Sequence, residues 1–114
     1  MKGLIALIKK IEEDIRKGNC IKAERKIPEV VLLIIDEIKN RKLTSSQIDQ
    51  ISDRFFNLFE TQIEKRIFPN EIEDLLLHCF NLHTLIKSEE DYQNNKKFWA
   101  EISKIEKLAK SNLK

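Results

Sequence analysis

Apolar residues recur every three to four positions along most of the chain, which is the spacing of an amphipathic helix. The first segment follows this pattern from Leu4 to Ile15 and places Lys9 and Glu12 on its polar side. Gly18 comes shortly after, and glycine readily takes the left-handed conformation that ends many helices. The pattern therefore predicts a first helix that stops near Gly18.

The second segment contains an apolar run, Val30 to Ile35, with no polar side at all. A helix that is apolar all round belongs in the middle of a bundle, where it packs on more than one side. Pro28 precedes this run and lacks a backbone N–H, so we expect either a kink there or a new helix with Pro28 in its first turn.

The third segment has the clearest signals for the start and the end of a helix. Thr44 and Gln47 have the spacing of a capping box, and Leu43 is placed to act as the apolar staple that accompanies such a box. The apolar stripe then continues to Ile67, and Pro69 stops it. These signals predict one long helix beginning at Thr44, which would be the spine of the fold.

Two further capping patterns predict the starts of the last two helices. Asn70 with Glu73 opens the fourth, and Ser88 with Asp91 opens the fifth. Because connections this short make consecutive helices antiparallel neighbours, we predict an all-α, antiparallel up-down bundle of four to five helices. The expected core includes Leu7, Ile11, Val31, Ile34, Ile38, Ile51, Phe55, Leu58, Leu76, Phe80, Trp99 and Ile102.

Composition supports the helical reading. The chain has 114 residues, of which 41% are apolar and 35% charged, but it has only two glycines and two prolines. Sheet proteins need many turn residues to reverse their strands, so this count disfavours them. The length is typical of one hydrophobic core, and we expect residues 1–114 to form a single helical domain.

No segment has the length of a membrane span. The apolar opening from Met1 to Ile8 resembles a signal sequence but is interrupted by Lys9, so we interpret it as helix. The cysteines, Cys20 and Cys79, lie far apart and lack the spacing of a zinc or disulfide motif. We therefore expect a cytoplasmic chain with two buried, reduced thiols and no membrane partner.

One local cluster has residue types that metals and catalysts use. His78, Cys79 and His83 lie close together, and Asp74 is one helical turn before His78. A zinc site needs three or four ligands, and no matching pair occurs elsewhere, so we interpret Cys79 as a core thiol and His78 and His83 as half-buried histidines rather than a metal site. With only two glycines there is also no phosphate-binding loop. We assign no catalytic, cofactor or metal-binding residue and expect a protein that is not an enzyme.

Adjacent aromatic residues point to a protein interface. Phe56 lies about 100° around its helix from Phe55, and Phe98 and Trp99 are related in the same way, so we do not expect one bundle interior to cover every ring. Ordinary partial burial is the alternative. We take Phe56, Phe98 and Trp99 as interface candidates and predict an interaction module that binds a protein partner or a second copy of itself. Adaptors, chaperones, antitoxins and immunity proteins include bundles of this size, an analogy of fold alone.

A second hypothesis from another class rests on lysines of the last helix. Lys97, Lys104 and Lys107 are placed to form a basic ridge that contacts the phosphates of RNA or DNA. Two acids, Glu101 and Glu106, interleave with them, and the formal net charge is only +2, which weakens this alternative. Steep salt dependence of binding would distinguish it from an apolar interface.

Overall fold

The computed structural model describes residues 2–86 and 92–113, and all regular structure in these ranges is helical. The predicted all-α bundle is therefore confirmed. The helices are α1 (Lys2–Arg16), α2 (Cys20–Lys39), α3 (Ser45–Lys65), α4 (Asn70–Leu85) and α5 (Lys96–Ser111), and a short 3₁₀ turn, Tyr92–Asn94, precedes α5.

Contacts between consecutive helices pair residues at similar distances from the connection, as antiparallel packing requires. In the α3–α4 pair, Gln62 near the connection reaches Glu73, and Phe56 further away packs on Phe80. In the α4–α5 pair, His78 reaches Glu101. The helices thus run up and down as predicted.

Helix α2 lies at the centre of the arrangement because it packs against α1, α4 and α5. The prediction that the apolar run Val30–Ile35 is packed on more than one side is confirmed. One residue of the run departs from it, since Leu33 is exposed. Helix α3 packs mainly against α4 and only lightly against α1.

The end of α1 and the start of α3 follow the sequence signals. Gly18 has a φ of 82°, and the N–H groups of Gly18 and Asn19 donate to the carbonyls of Ile15 and Asp14, which forms a Schellman motif. Thr44 caps α3 with its side chain, and Gln47 completes the capping box. Both signals are confirmed.

Two other helices end on arginines in the left-handed conformation that glycine normally provides. Arg41 follows α2 with a φ of 55°, and Arg66 ends α3 with a φ of 52°. This conformation is uncommon for residues with a Cβ. Each arginine has a side-chain partner, because Arg41 lies over Trp99 and Arg66 is 3.2 Å from Glu73.

Three boundary predictions change. Helix α2 runs through Pro28, so no new helix starts there. Pro69, rather than Asn70, is the N-cap of α4, and no side chain caps that end. Ser88 and Asp91 lie outside the described residues, and α5 begins at Lys96, capped by the side chain of Asn95.

The core differs from the prediction at three positions. Leu7 is 38% exposed, so its place in the expected core is wrong. Phe80 and Trp99 are partly buried rather than fully buried. The other nine predicted core residues are buried. Within the described residues, no helix is both long and apolar enough to cross a bilayer.

Candidate functional site

The first predicted interface residue, Phe98, lies inside the bundle. It has 0% exposure and packs against Tyr92 and Trp99, with ring centroids 5.1 and 5.4 Å away. The expectation that Phe98 is left uncovered is therefore wrong. Because the 3₁₀ turn folds Tyr92 over the start of α5, the chain covers this ring itself.

Trp99 is partly buried beneath an arginine. The guanidinium carbon of Arg41 lies 5.8 Å from the centroid of the Trp99 ring, within the range of a cation–π contact. The Trp99 ring also lies 6.1 Å from that of Tyr92. Most of its surface thus has partners within the chain.

Phe56 belongs to a partly buried aromatic cluster that fills the seam between α3 and α4. Its ring centroid is 4.6 Å from that of Phe80, which in turn stacks on His83 at 4.8 Å and on Phe59 at 6.4 Å. Ordinary partial burial, the alternative considered for these rings, describes Phe56 and Trp99.

Exposed apolar surface lies elsewhere, on the α1–α2 hairpin. Leu7 of α1 is 38% exposed and Leu33 of α2 is 51% exposed. Both line one groove of about 420 Å³ between the two helices. We call this the α1–α2 groove, and its lining residues are Leu7, Lys10, Lys22, Lys26, Glu29, Val30 and Leu33.

The α1–α2 groove continues towards the start of α2. A second, more open depression of about 710 Å³ shares Lys22, Lys26 and Glu29 with it and adds Ile21, which is 72% exposed. Ile21 and Leu33 are 12 positions apart, or about 18 Å along a helix. The apolar residues therefore bracket a track about three helical turns long.

Most charges along this track are positive. Lys26 donates to Asp14 at 2.7 Å, and this hydrogen bond lowers the pKa of the Asp14 carboxyl. Lys10 and Lys22 remain along the walls with Glu29 as the acid among the lining residues. Arg25 adds a further positive charge at the Ile21 end.

Sequence reasoning missed this groove because Leu33 sits in an apolar run that indicates burial. A signal was present, since Leu33 shares its helical face with two charged residues, Glu29 four positions before it and Asp36 three positions after it. Both are exposed. A face with those neighbours is a solvent face.

The His and Cys cluster has local partners. Cys79 is buried, which raises the pKa of its thiol, and the charge of Glu101 raises it further. His78 Nδ1–H donates to Glu101 Oε1 at 2.5 Å, and His83 Nδ1–H donates to the Phe80 carbonyl at 2.6 Å. A protonated thiol is a poor nucleophile and metal ligand at neutral pH.

The remaining candidates are dispersed. Cys20 is only partly buried, which corrects the expectation of two buried thiols. Lys97, Lys104 and Lys107 lie exposed on the outer side of α5. Across residues 2–86 and 92–113, no group of three or more His, Cys, Asp or Glu side chains is arranged to hold a metal ion.

Comparisons with known proteins give no relative. No family model matches the chain, and no match is found among curated proteins or among solved structures.

Proposed function

We propose that this protein is a non-enzymatic interaction module that binds an amphipathic helix of another protein in the α1–α2 groove. The observation that carries the proposal is the exposure of Leu7 and Leu33 on opposite walls of one groove. Exposed apolar residues that converge on a concave surface are typical of protein-binding sites.

The dimensions suit a helix as the occupant. Helix-in-groove recognition uses apolar anchors on one face of the bound helix, spaced about one turn apart. The track from Ile21 to Leu33 has room for about three such turns. Leu7 and Leu33 are already about half covered, so covering the rest of each would contribute about 1 kcal/mol, and several anchors together are enough for specific binding.

The charges favour an acidic partner over a second copy of this chain. Lys10, Lys22 and Arg25 surround the apolar track, whereas its acids are Glu29 in the lining and Asp36 on the face of Leu33. Two copies joined through this face would bring these positive charges together, and like charges at an interface are unfavourable. A helix with glutamates flanking its apolar ridge complements the groove.

The test uses a labelled peptide of about 16 residues designed as a helix, with leucines on one face and glutamates beside them. Fluorescence anisotropy measures its binding to the full chain. We expect Leu7→Gln and Leu33→Gln each to weaken binding about 3- to 10-fold, because a partner would newly cover about half of each leucine. Ile63→Gln is the matched control, because Ile63 is 44% exposed but lies on α3.

Two results would contradict the proposal. One is equal binding of a peptide whose glutamates are replaced by lysines, because the basic walls would then contribute nothing. The other is an unchanged affinity in both leucine variants. Sedimentation of the free protein covers the remaining possibility, since a dimer that Leu33→Gln dissociates would assign the groove to a second copy.

A further inference from the structure

The outer face of α5 carries five exposed lysines and no acid. The other exposed residues of this helix are Ala100, Ser103 and Ser111, so the face is basic and otherwise small and polar. We call it the lysine face, and its lysines are Lys96, Lys97, Lys104, Lys107 and Lys110.

The acids of α5 lie at the borders of this face, where they accept hydrogen bonds from side chains of other helices. Glu101 accepts a hydrogen bond from His78 on α4. On the opposite side Glu106 accepts bonds from Lys39 of α2 at 2.7 and 2.8 Å, which lowers the pKa of the Glu106 carboxyl. The two acids that interleave with the lysines in sequence therefore bond side chains of other helices, and within the described residues only Lys110 of the five lysines forms an ion pair with one of them.

For four of the five lysines, no ion pair with a described residue neutralises the charge. The exception is Lys110, whose Nζ lies 3.9 Å from Glu106. The other four have no ion pair among the described residues. A net charge of +2 for the whole chain thus conceals a strongly positive local surface.

We infer that the lysine face binds the phosphate backbone of double-stranded nucleic acid without sequence preference. Helix α5 has 16 residues and is about 24 Å long, whereas phosphates of one DNA strand recur about every 3.4 Å along the axis. The strand winds around this axis, so α5 lies beside only part of it, and the flexible lysine side chains can reach several phosphates there.

Other polyanions fit this face less well. It has no exposed aromatic ring on which unpaired bases would stack, as single-strand binders use. It has no large apolar residue to enter a lipid bilayer, as membrane-surface helices require. Arginine, asparagine and glutamine, whose two-bond contacts to base edges supply much of sequence readout, are also absent from the face, and lysine acts mainly as a point charge, so we expect contacts to the phosphate backbone to dominate.

The lysine face and the α1–α2 groove lie on different parts of the bundle. Helix α5 packs against α2 and α4, and α1 packs against α2 and α3. The inference is therefore independent of the proposed function, and either one can fail alone.

The test measures binding of the full chain to a fluorescent DNA duplex of about 20 bp as salt rises from about 50 to about 200 mM. Because each neutralised phosphate contributes about −0.9 to the slope of log K against log salt, four contacts predict a slope near −3.6. Replacing Lys97, Lys104 and Lys107 by Gln should reduce the slope to about −1 and weaken binding at least 10-fold at low salt.

The matched control is a triple Gln variant at Lys9, Arg16 and Lys65, exposed basic residues on α1 and α3. Both triple variants lose three positive charges, which changes the formal net charge from +2 to −1. The control should retain most of the affinity. Replacing Lys97, Lys104 and Lys107 by Arg should also retain it, because the charges remain, and this variant guards against loss of binding through misfolding.

Several outcomes would overturn the inference. Equal losses in the two triple Gln variants would show a general charge effect with no special role for α5. Absence of duplex binding at low salt would exclude the site. Tighter binding to a single strand, to polyglutamate or to phosphatidylserine vesicles than to the duplex would assign the face to a different ligand.

Discussion

The α1–α2 and α3–α4 hairpins each have a buried polar side chain near the connection between their two helices. The two side chains make different kinds of contact. In α3–α4, Gln62 bonds the backbone of Phe68, donating to its carbonyl at 2.7 Å and accepting from its N–H at 2.6 Å. In α1–α2, Asp14 accepts from Lys26, one side chain from another. The first contact fixes the loop, and the second ties two helices.

The two hairpins also differ in how far the surface between their helices is covered. Between α3 and α4, Phe80 packs against both Phe56 and Phe59, and the three rings are partly buried. Between α1 and α2, the outer seam is the α1–α2 groove, in which Leu7 and Leu33 stay exposed. A hairpin whose apolar surface is covered by its own chain contributes stability, whereas one that leaves a groove open retains surface for a partner.

The largest expected effect on stability comes from removing the polar contact of the α3–α4 hairpin. Gln62→Leu keeps the approximate volume but leaves the N–H and C=O of Phe68 buried without their partners. Each buried unpaired group costs about 1–3 kcal/mol, so we expect the free energy of unfolding to fall by about 2–4 kcal/mol. Urea denaturation followed by circular dichroism measures this change.

Gln50→Leu is the control for this experiment because Gln50 is exposed on the same helix. Its expected change is within about 0.5 kcal/mol, as for most surface substitutions. Similar midpoints for the two variants would mean that the Gln62 bonds do not stabilise the loop.

Local signals in the sequence predicted the elements of this fold well. The capping box at Thr44 and the glycine at position 18 act within one helical turn, so their effect does not depend on the rest of the chain. The left-handed ends at Arg41 and Arg66 escaped prediction because an arginine carries no such signal. Local backbone bonds accompany both ends, since the N–H groups of Arg41 and Lys42 donate to the carbonyls of Ile38 and Glu37, and the N–H of Arg66 donates to the carbonyl of Gln62.

The candidate site was harder to predict, for a physical reason. Periodicity tells which face of a helix is apolar but not which apolar residue a neighbouring helix covers. Phe98 is buried because the 3₁₀ turn brings Tyr92 onto it, and Leu33 is exposed because α1, α4 and α5 leave that part of α2 uncovered. Both facts depend on how the helices are arranged.

The polar contact of the α1–α2 hairpin, between Asp14 and Lys26, should have a smaller effect that depends on pH. The hydrogen bond from Lys26 lowers the pKa of Asp14 below the ordinary 3.8, so the interaction stabilises the fold above that pH. As pH falls through the lowered pKa of the folded state, the carboxyl becomes protonated and the contribution is lost. Asp14→Asn should therefore be less stable than the wild type at neutral pH and equal to it in strong acid.

Thermal unfolding of both proteins across this pH range measures the difference. Asp49→Asn, an exposed substitution on α3, controls for the loss of one negative charge. A stability difference between wild type and Asp14→Asn that stays constant from neutral to strongly acidic pH would show that the ionised carboxylate is not the stabilising form.

The smallest expected effect on stability is the most informative about the α1–α2 hairpin. The double substitution of Leu7 and Leu33 by Gln changes side chains that are 38% and 51% exposed, so the new amide groups can reach water and only part of the apolar burial is lost. We expect the free energy of unfolding to change by no more than about 0.5 kcal/mol for each site, as measured by urea denaturation. In the buried part of the same hairpin, Ile11→Gln should be strongly destabilising because Ile11 has 0% exposure and its polar substitute would lack a partner. If the double variant instead loses as much stability as Ile11→Gln, the two leucines belong to the core of the free protein, and the groove is not a surface held open for a partner.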